Sequence, residues 1–164
     1  MSDSSNICLS CMLCCNGTTI GFVQLEENEI TRIKKTLETE EEARDNFILQ
    51  PCKNLDCNGC RIYNVRPSQC VKFECELLLS IKEETISLSS AVVIVEDVKK
   101  KKKAIEKLIQ EEKINLTSKS FYFKASELRK TFKREPYPSE KLEKLIIELE
   151  ELNTIVTKNF GISL

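Results

Sequence analysis

The residues able to do chemistry are nine cysteines: Cys8, Cys11, Cys14 and Cys15 in one run, then Cys52, Cys57, Cys60, Cys70 and Cys75. Two-residue gaps put several sulfurs on one tight turn, pointing at a common centre, as a tetrahedral thiolate metal site requires. Cys8-x2-Cys11-x2-Cys14 matches the first three ligands of a bacterial-type ferredoxin run, with Cys15 following directly where x3-Cys-Pro is usual. Cys52-x4-Cys57-x2-Cys60 matches the opening of the plant-type spacing, with Cys70 or Cys75 available as the fourth ligand. Neighbours such as Cys14 and Cys15 project in different directions. One can complete a first site while the other reaches a second or stays a spare thiol. Nine sulfurs supply two four-thiolate sites with one left over, and four thiolates are what an iron–sulfur cluster such as 4Fe–4S takes.

The same thiolates in fours would hold Zn²⁺, and a structural zinc supplies on the order of 10–16 kcal/mol of folding free energy. Ordinary buried thiols would not cluster at such gaps. Spacing favours iron–sulfur ligation over zinc. Arg61, Arg66 and Lys72 would offset the negative charge of either kind of thiolate centre. Cys70 is expected in the first turn of a helix opened by Pro67, where the dipole favours a thiolate.

The absences narrow the chemistry. Without histidine there is no Ser-His-Asp triad, no Cys-His dyad and no mixed cysteine–histidine zinc finger. The four glycines build neither a phosphate-cradling loop nor a dinucleotide fingerprint. A net charge of -1 argues for neither nucleic acid nor membrane as partner. No apolar run approaches the roughly 20 residues of a membrane span, and no secretory signal opens the chain. The expected location is the cytosol, where dense cysteine reads as metal-ligating rather than disulfide-bonded.

The elements that must position these sulfurs read as an α+β fold, predominantly helical. Its cysteine-rich half has short strands, and its C-terminal half is helical. Residues 1–85 would form the metal-binding domain and 86–164 a helical extension packed on it, or the two would be continuous. Residues 1–15 read as a disordered lead and a cysteine turn. A short strand is expected within Thr19–Leu25, a helix over Glu26–Glu38, a solvated connection over Glu38–Asp45 and a strand at Phe47–Leu49. Lys53–Gly59 are turn formers, Cys60–Tyr63 reads as a brief strand, and Ser68–Lys82 as one helix. Ser89 or Ser90 would cap a long helix to about Lys113, striped by Ile94, Val98, Ile105, Leu108 and Ile109. Lys99 to Lys103 go round more than one turn, so they read as a solvated face with stems along the core. Ser120–Phe123 reads as extended, Ser126–Arg134 as a short helix ended by Pro136-Tyr137-Pro138. Ser139 would cap a last helix whose Leu142, Leu145, Leu149, Leu152 and Val156 favour packing against the long helix, with homodimerisation as the alternative. Phe160-Gly161 reads as its stop.

At Cys8-x2-Cys11-x2-Cys14-Cys15, Pro51-Cys52 and Cys60-Arg-Ile-Tyr63-x2-Arg66-Pro67-x2-Cys70-x2-Phe73 the chain resembles the YkgJ-type cysteine-cluster family, a zinc- or iron-chelating domain. The resemblance covers residues 8 to 75. It implies iron chelation as an iron–sulfur cluster. Larger relatives include flagellin lysine N-methylases, which suggests metal-dependent protein modification as one use of the domain. The leading expectation is an iron–sulfur protein, with one or two clusters, working with a protein or redox partner in redox chemistry or as accessory to a modifying enzyme. A zinc-stabilised interaction module and a small metal-dependent enzyme are the alternatives.

Overall fold

The computed structural model describes residues 4–37, 46–132 and 139–164. Its helical half is built on α5 (Leu88–Glu111), α6 (Phe121–Phe132) and α7 (Glu140–Phe160). The three-and-four spacing of α7 is what buries it: Leu145, Leu149, Leu152, Val156 and Phe160 face Ala91, Val95, Val98 and Ile105 of α5 and Phe121, Ala125 and Leu128 of α6. Each such side chain stabilises the fold by roughly 1.5–3 kcal/mol. The expected packing of the last helix on the long one is what the structure has, and Lys101 reinforces it with Glu148 at 3.1 Å and Glu151 at 2.6 Å. Ser139 caps α7 by accepting from Leu142 N at 3.3 Å, and Gly161 ends it at φ +69°, where an L side chain is strained. The cap of α5 is also a serine, but Ser87, whose extended backbone lets Oγ accept from Ser90 N at 3.1 Å.

The cysteine-bearing half begins with α1 (Ser4–Cys11), followed by β1 (Phe22–Gln24), a 3-10 turn at Glu27–Glu29, α2 (Ile30–Leu37) and β2 (Phe47–Leu49). Then come β3 (Leu55–Asp56), β4 (Gly59–Cys60), a 3-10 turn at Tyr63–Val65, α3 (Ser68–Lys72) and α4 (Glu76–Lys82). β1 and β2 are antiparallel with Val23 opposite Ile48, and that inward pair joins Leu25 and Ile33 in a second, smaller core. Ile7, Leu13 and Leu77 belong instead to the main core with α5, α6 and α7. No described helix is long and apolar enough to cross a membrane.

Besides the α5 cap, several expectations change, among them the Lys53–Gly59 turn segment, which contains β3. The start of the chain is helical from Ser4, so Cys8 and Cys11 lie one turn apart on α1 rather than on a loop. Cys60–Tyr63 is a strand only at Cys60, paired back to Leu55 in a hairpin. Ser68–Lys82 is two helices, broken where Phe73 (ψ 121°) and Cys75 (ψ 161°) are extended. No proline or glycine marks that break. It follows from packing, since Cys70 faces the small core while Cys75 and Leu77 face the main one, and Val71 is 56% exposed. Finally, Phe121-Tyr122-Phe123 is the first turn of α6, because Phe121, Ala125 and Leu128 bury one helical face. The connection over Glu38–Asp45 and the Pro136-Tyr137-Pro138 stop lie outside the described residues.

Candidate metal centre

The turn after α1 is held by backbone geometry that its residue types permit. Met12 leaves the helix at φ +58°. Asn16 closes an Asx turn by accepting from Thr18 N at 3.0 Å. Gly17 takes φ +75°, and a Cβ there would stand 2.8 Å from Ser120 Cβ, so the turn lies directly beneath the start of α6. Its carbonyl accepts from Tyr122 N at 2.9 Å. Lys99 of α5 reaches the end of α1 and donates to the Ser10 carbonyl at 2.9 Å. The helical half thus clamps both the helix and the turn that carry the first cysteines.

On this frame eight of the cysteines fall into two neighbourhoods. α1 packs against α4, whose N-cap is Cys75. This brings Cys8, Cys11 and Cys75 together, with Cys11 and Cys75 against the main core. Cys14 turns toward them, its Sγ accepting from the buried Thr19 hydroxyl at 3.3 Å. Cys15 goes the other way. Its carbonyl accepts from Cys52 N at 2.8 Å, Cys52 O accepts from Leu55 N at 3.1 Å, and Leu55 pairs with Cys60 across the hairpin. Cys70 approaches the same place from α3, packed on the small core. Cys57 sits exposed at the hairpin tip, apart from both. No disulfide joins any of the nine.

The electrostatics follow the same division except at Cys15, which acts on Cys14 and is acted on by Cys8. Burial pushes the Cys11 thiol up to about 12, helped by Cys75 and Cys8. It also raises Cys14, beside Cys11 and Cys75, and Cys8, beside Cys75. Burial and then the Cys52 and Cys60 thiols push Cys15 up to about 11, and burial with Cys15, Cys52 and Cys60 pushes Cys70 up to about 12. The expected helix-dipole activation of Cys70 is therefore overturned: α3 has only five residues, and desolvation among other thiols outweighs its terminus. Without metal these thiols stay protonated near neutrality, so binding releases protons.

Of the three basic residues expected to offset thiolate charge, Arg66 alone is so placed. It lowers Cys8, Cys15 and Cys70, with its Cζ 3.7 Å from the Tyr63 ring centroid and Nη1 donating to Tyr63 O at 3.2 Å. Arg61 donates to the Lys53 carbonyl at 2.9 Å, and Lys72 pairs with Glu26 at 2.6 Å, both in solvent. Lys82 beside Cys8 and Lys99 beside Cys11 act in the same sense as Arg66, and no local pattern marks them. Nor does any mark Glu29, whose buried carboxylate accepts from Ser68 N at 2.9 Å and Ser68 Oγ at 2.8 Å. That contact fixes α3 and hence Cys70.

Among the described residues no group of three or more cysteine, aspartate or glutamate side chains is arranged to hold a single ion. Two buried donors nevertheless lack acceptors beside the second neighbourhood, Arg66 Nε and Asn54 Nδ2. Asn54 lies two residues from Cys52, and its carbonyl accepts from Arg61 N, next to Cys60, at 2.8 Å. Buried donors of this kind are costly unless paired. Thiolate or sulfide sulfur would supply what they lack, so the donor set fits an anionic sulfur-rich group.

No curated protein and no solved structure matches the chain. A family model does, over residues 7–90, described as "CxxCxxCC: Putative zinc- or iron-chelating domain". That stretch holds all nine cysteines, most of α1, all elements from β1 to α4 and the start of α5, over half of the sequence. The chain belongs to the CxxCxxCC family of zinc- or iron-chelating domains.

Proposed function

We propose that the cysteine-bearing half binds iron–sulfur clusters and that the protein passes electrons to a protein partner, as a redox protein or as accessory to a protein-modifying enzyme. The observation that carries this reading is the gathering of eight half-buried or edge-lying thiols from six separate segments, with two orphaned donors beside them. When bound, such a cluster supplies one-electron chemistry. The chain's own part is to exclude water with Thr19, Leu13 and Ile7, which are buried around the first neighbourhood, and to balance charge with Arg66.

Purification without oxygen, followed by measurement of iron, acid-labile sulfide, zinc and the visible spectrum, tests the reading. Iron with equimolar sulfide in a brown protein that bleaches on reduction is the expected result. Stoichiometric zinc in a colourless protein refutes it and leaves a zinc-stabilised module.

A further inference from the structure

We infer that the chain holds two separate metal centres, one ligated by Cys8, Cys11, Cys14 and Cys75 and the other by Cys15, Cys52, Cys60 and Cys70, joined through the Cys14–Cys15 peptide. The iron–sulfur character of the centres rests on the function proposed above. Their number and ligand sets rest on geometry alone.

Four structural features separate the sets. α1 presents Cys8 and Cys11 on one face, at i and i+3, against the helix whose first turn Cys75 caps. The hydrogen bond from Cys52 N to Cys15 O, at 2.8 Å, ties Cys15 to the hairpin that holds Cys60. The break between α3 and α4 sends Cys70 to the small core and Cys75 to the main one, so a sequence gap of five spans two cores. Adjacent residues project to different sides, which lets Cys14 bond with Thr19 while Cys15 faces the hairpin. The two sets come nearest where α1, carrying Cys8 and Cys11, packs on β4, carrying Cys60.

Arg66 stands at that junction. Its guanidinium bears on a thiol of the first set, Cys8, and on two of the second, Cys15 and Cys70. Its Nε is buried with no acceptor, and Tyr63 fixes its plane from one side. Cys57, exposed on the two-residue hairpin loop, belongs to neither set.

Metal per chain is measured on the full-length protein isolated without oxygen, for the wild type, Cys75→Ser, Cys70→Ser and Cys57→Ser. Each of the first two substitutions should halve the bound metal, and Cys57→Ser should leave it unchanged. Loss of all metal from both variants, or a wild type holding one centre, overturns the division while leaving cluster binding intact. Two zinc ions per chain, halved by the same substitutions, would uphold the division and refute the cluster. A serine variant can fail by misfolding, so the wild type is also titrated with chelator under alkylation, the labelled thiols being mapped by mass. Cys8, Cys11, Cys14 and Cys75 should become reactive as one group and Cys15, Cys52, Cys60 and Cys70 as another. Simultaneous exposure of all eight at every chelator concentration overturns the inference.

Discussion

Glu29 tests whether a single carboxylate sets the position of α3. It is 3% exposed, and its two oxygens accept from Ser68 N at 2.9 Å, Ser68 Oγ at 2.8 Å and Glu26 N at 3.2 Å, with Arg32 Nη2 3.6 Å away. Burial alone would raise this carboxyl. The donors at Ser68 and Glu26 and the Arg32 guanidinium outweigh it and hold the group below the usual carboxylate range. Hydrogen bonds to a charged group contribute about 1.5–3 kcal/mol each, and buried donors left unpaired cost about 1–3 kcal/mol. Glu29→Ala, which removes every acceptor, should therefore cost about 3–4 kcal/mol. Glu29→Gln keeps one oxygen and should cost about 1–2 kcal/mol. With a urea dependence of about 2 kcal/mol per M for a chain of this size, the midpoints fall by about 1.5–2 M and 0.5–1 M, with unchanged slope.

The pH dependence has a definite sign. A carboxyl whose folded pKa lies below its unfolded value of about 4.3 stabilises the fold fully above that value, and the contribution is lost as pH falls through the folded pKa. The gap between wild type and Glu29→Gln should be constant from pH 6 to 8 and close below about pH 4. An equal gap at pH 7 and at pH 3.5, or a Gln variant indistinguishable from wild type at pH 7, would refute the reasoning. Because α3 carries Cys70, Glu29→Ala should also lose metal from the Cys15, Cys52, Cys60 and Cys70 set before the other.

A Cβ on Gly21 would lie 2.5 Å from two carbons of the Phe123 ring. Gly21→Ala should cost about 1–3 kcal/mol in chemical denaturation, and Phe123→Leu in the same chain should recover part of it. Leu149, fully buried between α5 and α7, should cost about 2–5 kcal/mol as alanine, whereas Ile147→Ala, at a 52% exposed position, should stay within about 0.5 kcal/mol. Arg66 lowers the Cys15 and Cys70 thiols against the effect of burial. In chelated protein at pH 9, Arg66→Gln should slow iodoacetamide labelling at both cysteines and Arg66→Lys should largely preserve it; equal rates in all three proteins would show that Arg66 does not act on these thiols.

How much of this was legible depended on whether a signal was local. The α7 stripe, the Ser139 cap, the Gly161 stop and the Phe47–Leu49 strand were all readable, because side-chain periodicity and turn chemistry act over a few residues. The break in Ser68–Lys82 was not. Propensity favours a continuous helix there, and only the rival pulls of two cores divide it. The aromatic run at Phe121 misled for a related reason: β propensity of three consecutive rings hid a buried face at 121, 125 and 128. Cysteine spacing correctly suggested that Cys14 and Cys15 diverge, but pairing Cys52 with Cys60 and Cys15 required the hairpin and one backbone hydrogen bond. Glu29 and Lys99 reach their targets across 39 and 89 residues, distances over which sequence pattern says little.

The two cores are unequal, and that inequality predicts how the molecule comes apart. The main core gathers buried residues from α1, the turn after it, α4, α5, α6 and α7, most of them far from any cysteine. The small one has four buried side chains, Val23, Leu25, Ile33 and Ile48, with Cys70 at its edge. Four such residues contribute roughly 6–12 kcal/mol at most, a small fraction of what the sixteen buried residues of the main core supply. β1, α2, β2 and α3 must therefore lean on the cysteine set they carry and on the Cys15–Cys52 clasp. Removing metal should raise amide hydrogen exchange in β1, β2 and α3 by at least tenfold, while α5 and α7 keep their protection. Loss of protection spread evenly over α7 and β1 would mean that both halves open as one cooperative unit and that the metal supports the helical core as directly as the small one.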